Sequence, residues 1–149
     1  MRVVKLILAW AIAVAVTTAL AVAMHSQFVM AGLRDLGAEI GFAESVHVTI
    51  HDIGGMGPTY GMFVAVALLL GFLLTALLWP RLRVPRPLGY AIGGAAAIAA
   101  LLAIMGASLG ITVVAGARTP AGFAAQCAVG ALGGLVFAVL SRQAGRRPA

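Results

Sequence analysis

Four long stretches without a single charged or histidine side chain constrain this chain more than any other feature. They lie between Lys5 and His25, Asp52 and Arg81, Arg86 and Arg118, and Arg118 and Arg142. An α-helix rises about 1.5 Å per residue, so roughly 20 apolar residues cross a hydrocarbon core about 30 Å thick. Lipid offers no partner to backbone N–H and C=O groups, and a helix pairs nearly all of them internally. The reading is therefore an all-α membrane protein: a four-transmembrane-helix bundle with spans at about 6–25, 58–79, 88–115 and 120–140. Residues 26–57 form an exposed outer loop, and the 149 residues make one integral membrane domain.

Composition agrees. The chain is 62% hydrophobic and 9% charged, with a mean hydropathy of +1.09, whereas about a quarter of a soluble domain is charged. A net charge of +6 invites a nucleic-acid reading. The basic residues form no continuous face and are not interleaved with aromatics, so that partner is set aside in favour of the bilayer. Cys127 is the single cysteine, which excludes an intrachain disulfide. Arg2, Lys5 and Ala21-Val22-Ala23 also imitate a secretory signal with its cleavage site. The long apolar run, continued by Phe28-Val29-Met30, favours an uncleaved first helix.

Orientation follows from the basic residues. Arg2, Lys5, Arg81, Arg83, Arg86, Arg142, Arg146 and Arg147 fall on one side, and only Arg34 and Arg118 on the other. The positive-inside rule places both termini in the cytoplasm and the outer loop outside. Arginine exceeds lysine nine to one among abundant alanine and glycine, which suggests a GC-rich bacterial genome and hence an inner membrane with a periplasmic loop.

That loop gathers the polar chemistry. All four carboxylates and all three histidines lie between residues 25 and 52. Read as a helix over 42–53, the segment puts Phe42, Val46, Ile50 and Ile53 on one face and Glu44, His47 and His51 on another. The apolar face is expected against the bundle mouth or the headgroups. Val46 to Ile50 also alternates with period two, as a strand would, but a lone strand beside a bilayer leaves its backbone unpaired. Gly54-Gly55 stops the short helix, and Gly54 to Pro58 read as a hinge into the second span.

Three kinds of chemistry were weighed for this segment. Glu44, His47 and His51, with His25 from the first helix, supply ligand types suited to zinc, copper or iron. Haem would need His25 paired with His47 or His51 at the outer rim, since the later spans hold no histidine. Catalysis by His47, His51, Glu44 and Asp52 lacks a nucleophile elbow or a phosphate-binding motif, so no catalytic residue is assigned. No cofactor is required by any motif. The favoured reading is an accessory or interaction role, with a protein partner or a homo-oligomer at the outer loop. The alternatives are a metal- or haem-binding protein and a small oligomeric channel or transporter. No ionisable residue lies within the core of a span, which disfavours an autonomous proton-coupled carrier.

Helix packing is expected along small residues, because lipid removes most of the hydrophobic drive between helices. Gly122, Gln126, Gly130 and Gly134 repeat every four residues in the fourth span, and Gly93, Gly106 and Gly110 mark the third. Gln126 is expected to make an interhelical hydrogen bond.

Overall fold

The computed structural model describes residues 2–78, 81, 84–109 and 119–143. Five helices follow in order: α1 (Arg2–Asp35), α2 (Phe42–Gly55), α3 (Gly57–Leu78), α4 (Arg86–Leu109) and α5 (Pro120–Gln143). There is no strand among the described residues, so the alternating stretch in the outer loop is helical. Four of the helices, α1, α3, α4 and α5, are long and apolar enough to cross a membrane. The expected packing position Gly110 and the continuation of the third span to 115 lie outside the described residues.

Consecutive spans are neighbours. α3 packs on α1 and α4, and α5 packs on α4 and α1, while α3 and α5 scarcely meet across the diagonal. This is an up-and-down bundle. α3 buries Tyr60, Val64, Leu68, Phe72 and Thr75 on a stripe of three- and four-residue spacing, and leaves Val66, Leu69, Leu70, Leu73 and Leu77 to the lipid. Near the end of the bundle that carries Arg86, Phe72 stacks on Phe137 at 4.5 Å between centroids, and Tyr90 meets both rings edge-on.

Glycine sets the closest approaches. A Cβ on Gly94 would meet the Gly130 backbone, and one on Gly130 would meet the Gly94 backbone and Ile98 Cγ1 at 2.6 Å. One on Gly134 would lie 2.5 Å from the Tyr90 carbonyl carbon. α4 and α5 therefore touch backbone to backbone. Gly93 faces α3 instead, against Thr75 and Gly71. Gly106, expected in a seam, has nothing within 4 Å. Its spacing resembles that of the others, but α4 meets no neighbour among the described residues at that height on that face. Gly122 is buried in the first turn of α5, where its N–H donates to Thr119 Oγ1 at 3.0 Å, the N-cap bond that the Thr-Pro pair implies.

Gln126 is buried, and its Nε2 donates to the Ala21 carbonyl at 2.9 Å, tying α5 to α1. Its Oε1 has no partner among the described residues. Such bonds between membrane helices average about 0.6 kcal/mol, and a leucine here would also remove the unpaired acceptor. Gln126→Leu is accordingly expected to shift stability by less than about 1 kcal/mol. Thermal unfolding in detergent measures this, and a loss several times larger would show that the amide does more than join two helices.

α1 is longer than expected. Its 34 residues span about 51 Å, against a hydrocarbon core of about 30 Å. The first span was expected to end near His25, but the helix continues, because no proline or glycine interrupts it before Gly32. It closes at Gly37, whose φ of 91° suits glycine. Ala38 N–H bonds to the Leu33 carbonyl and Gly37 N–H to the Arg34 carbonyl, the paired bonds of a Schellman cap. At the other end of the outer loop, only Met56 separates α2 from α3.

Candidate functional site

The stretch of α1 beyond the expected span, residues 26–35, is about 15 Å long. α2 runs antiparallel along it. Ser26 Oγ donates to Asp52 Oδ2 at 2.6 Å, Gln27 Nε2 to Thr49 Oγ1 at 3.0 Å and Arg34 Nη2 to Ser45 Oγ at 2.8 Å. Partners that ascend along α1 descend along α2, which defines a helical hairpin standing out from the bundle. Arg34 also donates to the Ile40 carbonyl, holding the connection between the two helices. Ser26, Met30 and Ser45 are buried in this pairing.

The seam with α1 is polar, made by Ser45, Thr49 and Asp52, and of the stripe expected at the bundle mouth or the headgroups only Ile53 meets the bundle, on the wall of a groove between α1 and α3. Phe42 is 85% exposed, Ile50 65% and Val46 41%, and Leu36 at the tip is 85% exposed. At 100° per residue, the apolar stripe lies roughly 90° around α2 from the seam. The physical reason is the surface that α1 presents: serine, glutamine and arginine donors, which bond a hydroxyl or carboxylate and gain nothing from isoleucine.

Glu44, His47 and His51 are exposed on a third face, roughly 130° from the seam. His25 is half-buried on α1, within electrostatic reach of the Asp52 carboxylate at the opposite side of α2. The four candidate ligands are thus divided between two faces. No group of three His, Cys, Asp or Glu side chains among the described residues is placed to hold a metal ion.

Ser26, Gln27, Arg34, Ser45 and Thr49 carry the hairpin and were not singled out by the sequence. The readable signal was the four- and three-residue spacing of Ser45, Thr49 and Asp52, answered by Ser26, Met30 and Arg34 at four-residue spacing on α1. Inside the bundle, Thr18 Oγ1, Tyr60 OH and Gln126 Oε1 are buried without a partner among the described residues.

Two apolar grooves open between the spans. One, of about 400 Å³, lies between α1 and α3 and includes Trp10, Thr18 and Gly61, with Ile53 of α2 also on its wall. The other, of about 900 Å³, follows the line between α3 and α4. Comparison with known protein families, with curated proteins and with solved structures finds no match for this chain.

Proposed function

We propose that the chain is a small accessory protein of a bacterial inner membrane, whose outer hairpin docks a partner protein. Both termini lie in the cytoplasm and the α1–α2 hairpin in the periplasm in this reading, supported by eight basic residues on one side against two on the other. One observation carries the role. A helix pinned by three side-chain bonds along its polar seam holds Phe42, Val46 and Ile50 outward, away from its own bundle. Contiguous exposed apolar surface of this kind marks an interaction site. Glu44, His47 and His51 form a separate exposed polar face, roughly 140° around α2 from the stripe.

Placing a photo-crosslinking side chain at Phe42 or Val46 in cells is expected to give one discrete protein adduct, with none from Leu73 on the lipid face of α3. Ile50→Asp, which leaves the seam intact, is expected to lower the yield from Phe42 about tenfold, the effect of about 1.4 kcal/mol. Adducts to lipid alone, or a yield indifferent to Ile50→Asp, would remove the basis for this role.

A further inference from the structure

We infer that the groove between α3 and α4 is a binding site for an anionic phospholipid, with acyl chains in the groove and the phosphate at Arg81 and Arg86. The groove begins with the glycines. Gly71 and Gly93 bring the two helices together so closely that a Cβ on Gly71 would lie 2.9 Å from the Gly93 carbonyl oxygen. Larger side chains on either flank, among them Leu74 and Ile92, then stand apart as walls. The result is a channel of about 900 Å³ whose walls are apolar apart from Thr75, and Thr75 directs its hydroxyl to the Gly71 carbonyl at 2.8 Å. It extends along α3 from Phe63 to Leu78, about 22 Å of helix. That length and polarity suit a hydrocarbon chain.

One end of the channel is charged. Leu78 and Val84 are lining residues there, and Arg81 and Arg86 follow them by three and two positions. Arg81 is exposed. Arg86 donates from Nη2 to Ser141 Oγ of α5 at 3.1 Å and lies over the Tyr90 ring, so a phosphate at the groove would draw its guanidinium away from Ser141. No carboxylate of the chain can neutralise this end, since Asp35, Glu39, Glu44 and Asp52 all belong to the opposite one. These arginines are free to meet an anion from outside the protein. A lipid phosphate supplies it at the depth where the apolar channel ends, whereas a second copy seated here would bring arginine against arginine.

The test is native mass spectrometry of the full-length protein, delipidated in detergent and offered equimolar dioleoyl phosphatidylglycerol and dioleoyl phosphatidylcholine. The phosphatidylglycerol adduct is expected to exceed the other about tenfold. Arg81→Gln combined with Arg86→Gln abolishes that preference, while Arg142→Gln, exposed on α5 at the same end, leaves it. Ala96→Phe with Ala100→Phe, both exposed on the groove wall, reduces adducts of both lipids, with helix content checked by circular dichroism. Equal binding of the two lipids, an equal loss in Arg142→Gln, or a dimer that excludes lipid would each overturn the assignment.

Discussion

Gly134→Val is expected to separate α4 from α5 and to lower stability by roughly 3 kcal/mol or more, the upper range for overpacking. A Cβ at this position would lie 2.5 Å from the Tyr90 carbonyl carbon and 2.9 Å from the Ala91 nitrogen. Both are backbone atoms, and a backbone cannot turn aside as a side chain can. Gly94 and Gly130 meet the same obstacle from each other's main chain, so the whole crossing must shift. Gly106→Ala is the matched control. With nothing within 4 Å of its Cβ, it is expected to stabilise α4 by about 0.5–1 kcal/mol, because alanine loses less backbone freedom than glycine. Thermal unfolding of the two variants in one detergent reads the contrast. Equal effects would show that the α4–α5 crossing is not made by backbone contact.

Ser26→Ala is expected to loosen the hairpin more than Asp52→Ala, although both remove the same 2.6 Å bond. Without Ser26, the half-buried Asp52 carboxylate loses a charge-assisted hydrogen bond of about 1.5–3 kcal/mol. Without Asp52, the Ser26 hydroxyl turns to the Val22 carbonyl, already 3.1 Å away, so the serine keeps an acceptor. Hydrogen exchange of the α2 amides is the measurement. It should quicken roughly tenfold or more in Ser26→Ala, the kinetic equivalent of that loss, while the amides of α4 and α5 keep their protection. If Asp52→Ala loosened α2 more, the carboxylate would have a further partner that outweighs the serine.

The spans were legible because crossing a membrane is a sum over residues. Each apolar side chain in a run such as Leu6 to Met24 favours lipid on its own account, and the absence of charge needs no neighbour to interpret it. The N-cap at Thr119 ahead of Pro120 is equally local, a bond between residues three apart. α2 was legible as a helix, but not its mounting. A helical wheel separates Phe42, Val46, Ile50 and Ile53 from Ser45, Thr49 and Asp52 without saying which stripe meets the protein.

The glycines divide in the same way. Gly94 and Gly130 face backbone, Gly93 faces Thr75, and Gly106 faces nothing, although all four look alike as small residues in apolar helices. The sequence by itself determined four lipid-compatible helices, the polarity of the two ends and a short helix between the first two spans, since these follow from residue-by-residue transfer energy and local hydrogen bonding. Tertiary structure alone decided that α1 runs on to Asp35 and carries α2, that the polar stripe docks and most of the apolar one remains outward, and which glycines form the crossing. Those outcomes depend on what a neighbouring helix presents at one height and one angle: donors at Ser26, Gln27 and Arg34, or a bare carbonyl at Tyr90.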